Sequence, residues 1–137
     1  MPARYLLDTN IVSYLLKTQI PAVLSRYNAA GADSITISSI SEAEVFYGVS
    51  NRPGATRLRI AAEAFFAAAT VLSWDSSAAR VYGLLRAGQE RKGRPLSVED
   101  LMIAAHALSL GLTLVTNDQA FSFVDGLKTE DWTIARS

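Results

Sequence analysis

The chain has 137 residues, half of them apolar, and its thirteen basic and thirteen acidic side chains cancel at neutral pH. No cysteine is present, which excludes a disulfide framework, a thiolate nucleophile and a zinc finger. Zero net charge argues against holding nucleic acid by bulk electrostatics. No apolar run is long enough to cross a membrane, and the first one meets Asp8 and Asn10 too early for a signal peptide. We therefore expect one cytoplasmic domain, residues 1–137.

Short apolar runs alternate with helical patterns along the chain. We expect five strands, the last on a sheet edge: Arg4–Asp8, Ser34–Ser38, Thr70–Trp74, Leu112–Thr116 and Trp132–Ala135. We expect six helices: about Thr9 to Lys17, Pro21–Ala30, from a cap at Ser39 or Ser41 to near Gly48, Thr56–Ala69, from a cap at Asp75 or Ser76 to about Arg91, and Val98–Leu110 between Ser97 and Gly111. This alternation predicts an α/β fold, a three-layer α/β/α sandwich with a mostly parallel central sheet.

Four acids each follow, or lie a few residues beyond, a short β-branched or leucine-rich run: Asp8, Glu44, Asp100 and Asp118. Ligands of an open α/β sheet bind outside the carboxyl ends of its strands, so we expect the four acids to meet at one edge. Crowded carboxylates resist ionisation unless a cation neutralises them. Oxygen ligands favour a hard ion such as Mg²⁺, with Mn²⁺ as a substitute. The sequence therefore predicts a metal site suited to phosphoryl chemistry.

Each acid taken singly has another explanation as part of a helix cap. Asp8 and Asp118 can be N-caps. Glu44 and Asp100 stand three residues after Ser41 and Ser97, the spacing of a capping box. The joint pattern favours the metal site, because it supplies more acid than capping needs. Short polar side chains beside the acids are of the kind that orient a carboxylate or hold a metal-bound water: Thr9, Asn10, Thr116 and Asn117.

The acids lie in four short motifs, in this order: Leu6–Asn10 (LLDTN), Glu44–Gly48 (EVFYG), Asp100–Ala107 (DLMIAAHA) and Val115–Asp118 (VTND) with Phe121 three residues on. Together they resemble the PIN-domain ribonucleases, and among them the VapC-type toxins of bacterial toxin–antitoxin pairs, over about Tyr5 to Trp132. The resemblance implies that the four acids bind metal with Thr116 in support, and that hydrolysis leaves a 5′-phosphate and a 3′-hydroxyl. Two positions depart from the family pattern, Ala120 where an acid is common and Glu99 where an amide is common.

The resemblance also implies partners. VapC-type proteins form homodimers and present a groove between their first helices to a VapB-like antitoxin. We expect an antitoxin cation to reach the four acids, because a cation is the simplest block for an acidic site. Apolar antitoxin residues would cover the surface near Ile11, Tyr14 and Tyr47, although such apolar positions more often belong to a core.

The sequence thus predicts a Mg²⁺-dependent endoribonuclease that acts as the toxin of a toxin–antitoxin pair. His106, the only histidine, rules out a two-histidine transesterification and is turned away from Asp100 on its helix, so we expect a structural role for it. Three alternatives remain: a metal-dependent phosphatase or phosphoryl-accepting domain, a catalytically weak PIN-like module that binds RNA or protein, and a structural subunit. Asn10 stands where the phosphatase would want a second aspartate, and a complete set of four acids disfavours the other two.

Basic side chains are candidates for contacts to RNA phosphates. One cluster precedes the Asp100 segment: Arg86, Arg91, Lys92 and Arg94. An equally good interpretation of this cluster is solvated surface charge at a helix C-terminus, where cations complement the helix dipole. A second, weaker candidate cluster consists of Arg52, Arg57 and Arg59.

Overall fold

A computed structural model describes residues 3–17, 20–94 and 96–135. Its five strands are β1 Tyr5–Leu7, β2 Ile35–Ser38, β3 Val71–Leu72, β4 Thr113–Val115 and β5 Thr129–Glu130. Its six helices are α1 Thr9–Leu16, α2 Pro21–Ala30, α3 Ser39–Ser50, α4 Thr56–Ala68, α5 Ser76–Arg91 and α6 Val98–Leu110. The strands form one sheet in the order β3-β2-β1-β4-β5, with every neighbouring pair parallel. The predicted α/β/α fold is confirmed.

Alternation of side chains along the central strand creates two cores, one on each face of the sheet. Tyr5 and Leu7 of β1 point into a core shared with residues of α1 to α4. Leu6, between them, points into a second core with Ile103 and Ala104 of α6. Both faces of β1 are therefore buried, as a near-continuous apolar strand in a parallel sheet requires.

The helix ends follow from local chemistry. Pro21 opens α2, where its missing N–H costs nothing. The Ser97 hydroxyl caps α6 by accepting from the Asp100 N–H at 3.1 Å. Gly111 ends α6 with φ 67°, a left-handed conformation that a residue with a Cβ adopts only at a cost. These boundaries agree with the sequence prediction.

The start of α3 differs from the prediction. Ser38 is the N-cap, because its hydroxyl accepts from the Ile40 N–H at 3.1 Å, so the prediction of Ser39 or Ser41 was wrong. The Ser39 hydroxyl instead accepts from the Trp74 N–H at 3.1 Å. The helix also continues past Gly48 to Ser50.

The predicted fifth strand at Trp132–Ala135 was also wrong. β5 is the two-residue segment Thr129–Glu130, paired with Leu114 and Val115 of β4. Trp132 lies beyond it and is buried, with its ring edge-on to Tyr5 at 5.1 Å between centroids. Its apolar bulk serves the core and does not extend the sheet.

No helix within the described residues is both long and apolar enough to cross a membrane.

Candidate active site

The site lies where the strand order changes direction. From β1 the chain moves to β2 and β3 on one side of the sheet, and it later returns to β4 and β5 on the other side. The carboxyl ends of β1 and β4 therefore flank the crevice at which open α/β sheets bind ligands. Asp8 follows β1 and Thr116 follows β4. The Thr116 hydroxyl donates to Oδ2 of Asp8 at 2.8 Å across this crevice.

Asp8 is the most enclosed of the four acids, with 3% of its surface exposed. Its Oδ1 accepts from the Thr9 N–H at 2.7 Å, so it also caps α1. Burial raises the pKa of Asp8 to about 6, and repulsion by Asp100 and Glu44 adds to the rise, while the bonds from Thr116 and Thr9 oppose it. Capping and a role in the acidic site are thus not alternatives for this residue, because one carboxylate serves both.

Glu44 projects from α3 toward the start of α1. The Thr9 hydroxyl donates to Oε1 of Glu44 at 2.6 Å and lies 3.0 Å from the hydroxyl oxygen of Ser41. A hydroxyl has one proton, so Ser41 must donate to Thr9 when Thr9 donates to Glu44. Burial raises the pKa of Glu44, the Thr9 bond lowers it, and repulsion by Asp100 and Glu99 raises it further.

Asp100 occupies the first turn of α6 and is half-buried. Burial raises its pKa, the Ser97 hydroxyl lowers it, and repulsion by Asp118 and Glu99 raises it again. Asp118 is exposed, and its backbone N–H donates to the Thr116 hydroxyl at 3.1 Å. Its Oδ1 caps the 3-10 turn Gln119–Phe123 by accepting from the Ala120 N–H at 2.9 Å. Asp8, Glu44 and Asp100 thus lie close enough to repel one another, and Asp118 lies close enough to repel Asp100.

The donor set suits a hard divalent cation in kind and in charge. Asp8, Glu44 and Asp100 are carboxylates whose pKa values are raised by burial and by mutual repulsion, a penalty that a cation would remove. Carboxylate oxygens are the preferred ligands of Mg²⁺ and Mn²⁺. Among the described residues, no three acidic or histidine side chains already surround a common point suited to a metal ion. Metal binding by these residues stays a prediction.

Of the short polar residues expected to orient the acids, only some contact an acid. Thr116 bonds to Asp8, but Asn10 is exposed and, within the described part of the chain, forms no hydrogen bond to the four acids. Asn117 donates to the Tyr14 hydroxyl at 3.1 Å. Thr9 and Ser41 form the hydroxyl pair that holds Glu44. The role of Ser41 was not predicted from the sequence, because its spacing to Glu44 is that of a capping box and indicated a helix cap.

His106 is buried on α6, away from the acids. Its Nδ1 lies 2.8 Å from the Ser38 hydroxyl, the cap of α3. Burial lowers the pKa of His106, opposed by Asp75 and by a hydrogen bond to the Ser73 backbone. The ring joins the helix that carries Asp100 to the helix that carries Glu44, in line with the expected structural role.

The larger basic cluster is partly neutralised. Arg86 pairs with Glu90 at 3.2 Å, Lys92 pairs with Asp125 at 3.2 Å, and the Arg94 guanidinium lies 4.1 Å from the centroid of the Phe123 ring. Arg91 lies exposed at the end of α5. The cavity beside this cluster is lined by α5, by Leu108 and by Asp125, and by none of the four acids.

Comparison with known proteins agrees with this geometry. The family model described as PIN domain matches residues 5–127. The chain belongs to the PIN-domain family. Within that family it is 38% identical to the tRNA(fMet)-specific endonuclease VapC of Shigella flexneri over 130 residues, 94% of this chain and 98% of that protein. It is 37% identical to ribonuclease VapC2 of Haemophilus influenzae over the same shares of each chain.

Two solved structures have the same fold as this chain and match it over nearly its full length. The structure of DNA-bound VapBC from Salmonella typhimurium superposes with a TM-score of 0.90 at 35% identity, covering 95% of this chain and 98% of that one. That of VapBC2 from Rickettsia felis, bound to a DNA fragment from its promoter, gives 0.87 at 31% identity, covering 92% of this chain and 96% of that one. The resemblance to VapC-type PIN domains, drawn from four motifs, is confirmed.

Proposed function

We propose that this chain is a Mg²⁺-dependent endoribonuclease and the toxin of a VapBC-type pair. The observation that carries the proposal is Asp8, a carboxylate buried at the strand-order switch, with a pKa raised to about 6 and with Asp100 and Glu44 beside it. A buried acid cluster of this kind destabilises the metal-free fold, and carboxylates with such raised pKa values cluster at functional sites. The names of the relatives give the reaction class, since those matched across nearly their full length are ribonucleases and endonucleases. We propose that the protein acts in the cytoplasm, because its proposed substrate is RNA.

The metal would be held by Asp8, Glu44, Asp100 and Asp118. When bound, a divalent ion supplies charge neutralisation at the phosphate and lowers the pKa of a bound water. The protein groups around it do the positioning. Thr116 fixes Asp8 in the crevice, and Thr9 fixes Oε1 of Glu44. A carboxylate oxygen of the cluster that is left free of the metal would accept a proton from the attacking water.

An antitoxin is the second part of the proposal. The solved relatives of Salmonella typhimurium and Rickettsia felis are VapBC complexes, which supports a cognate VapB-like partner here. A homodimeric toxin is part of the proposal on the resemblance alone. We propose that a cationic antitoxin side chain pairs with the acids. The covering apolar contact falls at Tyr47, which is 71% exposed, and at half-buried Tyr14. The Ile11 side chain is itself fully buried in the core, so a partner would cover the surface near it without contacting this side chain.

Expression in a host that lacks the antitoxin tests both parts. The wild-type chain should arrest growth, and Asp8→Asn and Asp100→Asn should not, because each removes a carboxylate of the site. Co-expression of the neighbouring antitoxin gene should restore growth. In vitro, purified wild type should cleave RNA while both variants, folded by circular dichroism, should not. Equal growth of wild type and variants would remove the toxin assignment, and equal cleavage would remove the acids from the mechanism.

A further inference from the structure

A groove leads away from the acids on the side opposite the larger basic cluster. A cavity of about 200 Å³ is lined at one end by Thr9 and Glu44. A larger cavity of about 720 Å³ lies next to it, because both are lined by Leu16, Lys17 and Leu58. We call these two adjoining cavities, which lie among α1, α3 and α4, the basic groove. It begins at an acid of the site and ends at the loop before α4.

The far end of the basic groove carries concentrated positive charge. Lys17, Arg52 and Arg57 line it, and all three are exposed. Within the part of the chain that the structure describes, none of the three forms an ion pair with an acid. The first turn of α4, which contains Arg57, contains no acid. The acids of the described residues therefore leave these three cations unneutralised.

The larger cluster offers a weaker case. Arg86 and Lys92 are already paired with acids. The cavity beside them is lined by apolar residues of α5, such as Val81 and Leu84, and also by Arg91 and Lys92, but by none of the four acids. An RNA strand needs cations spaced along a path that reaches the scissile phosphate, and only the basic groove is continuous with an acid of the site among the cavities described here.

We propose that the RNA strand flanking the scissile bond runs along the basic groove, with its phosphates on Lys17, Arg52 and Arg57. This inference rests on the proposed ribonuclease function and adds the track of the substrate to it. The contacts are to phosphates, so they supply affinity for any sequence and do not select one. They fix the strand's position relative to Glu44, which lines the near end of the same groove.

Binding of a fluorescein-labelled single-stranded RNA tests the track, measured by anisotropy in the Asp8→Asn background so that the probe stays intact. Adding Arg52→Gln and Arg57→Gln together should raise Kd about tenfold at low salt. The slope of log K against log salt should fall by about 1.4, roughly 0.7 for each lost phosphate contact on a single strand. Arg80→Gln removes an exposed cation from α5 and serves as the control, with Kd expected within twofold of the parent.

The rival path is tested by Arg91→Gln with Arg94→Gln in the same background. An unchanged Kd and slope for the Arg52 and Arg57 double variant would overturn the proposal, and so would undetectable RNA binding by the parent. In the active background, the groove variant should raise KM with kcat within twofold. If no protein in the series cleaves RNA, the ribonuclease function fails, while the binding comparison still decides where RNA lies.

Discussion

Replacing Asp8 by asparagine should stabilise the metal-free protein at neutral pH. Burial raises the pKa of Asp8 from 3.8 to about 6, so the native state binds this proton more tightly than the unfolded chain does. Between roughly pH 4 and 6 the unfolded chain loses the proton first, and the free energy of unfolding falls as pH rises. Above that window the ionised carboxylate costs the native state about 3 kcal/mol, from a shift of ~2 units at ~1.4 kcal/mol each.

The asparagine keeps most of the local bonding. Its Oδ1 can accept from the Thr9 N–H, the bond that caps α1. Its amide faces the Thr116 hydroxyl, which must turn its proton away and accept instead, at a cost of about 1 kcal/mol. The expected net gain for Asp8→Asn at pH 7 is therefore about 1–3 kcal/mol.

Urea unfolding in EDTA, repeated from pH 4 to pH 8, measures this difference. At pH 4 Asp8→Asn should be less stable than wild type by at most about 1 kcal/mol, and it should become the more stable protein as pH rises to about 6. Asp33→Asn, which removes an exposed carboxylate, is the control and should track wild type. A variant less stable than wild type at pH 7, by an amount that does not change with pH, would refute the reasoning and reduce Asp8 to a cap.

Three further outcomes are expected. Thr9→Val removes the hydroxyl that lowers the pKa of Glu44, so the acid limb of the pH–rate profile for RNA cleavage should move to higher pH, with kcat lowered about tenfold; an unmoved limb would contradict the pairing. His106→Ala leaves a cavity and removes one of the two hydrogen-bond partners of the buried Ser38 hydroxyl, and urea unfolding should show a loss of roughly 2–4 kcal/mol; a loss below about 0.5 kcal/mol would deny His106 a structural role. Titration calorimetry with Mn²⁺ should show one clear site and a second only at high metal, because Ala120 offers no ligand beside Asp118; two tight equivalent sites would refute this.

Most of the fold could be predicted because each element carried its own signals. The strands were short apolar runs ending in acids or small polar residues, and Gly31 and Gly111 marked helix ends. The errors arose where one residue type has two uses. Three serines in a row of four positions, Ser38, Ser39 and Ser41, can each cap a helix, and only the packing of Trp74 and Thr9 decides which one does. Trp132 suits a strand as well as a core, and its contact with Tyr5 is tertiary.

The acids were predictable as a set because parallel strands deliver their carboxyl ends to one edge. The hydroxyls that hold them were less so. The contact from Thr9 to Glu44 spans 35 positions in sequence, and no local sequence pattern predicts it. The burial of Asp8, which gives this carboxyl its raised pKa, is likewise a property of the folded chain.

The central claim is that the four acids act through a divalent ion that they hold. The direct test is cleavage of a single-stranded RNA by purified protein freed of any antitoxin, measured after EDTA treatment and again after Mg²⁺ or Mn²⁺ is restored. Wild-type cleavage should stop in EDTA and return with either ion. Asp100→Asn should stay inactive at the metal concentrations that restore cleavage by the wild type. Cleavage that persists in chelator, at a rate equal to that with Mg²⁺, would contradict the claim.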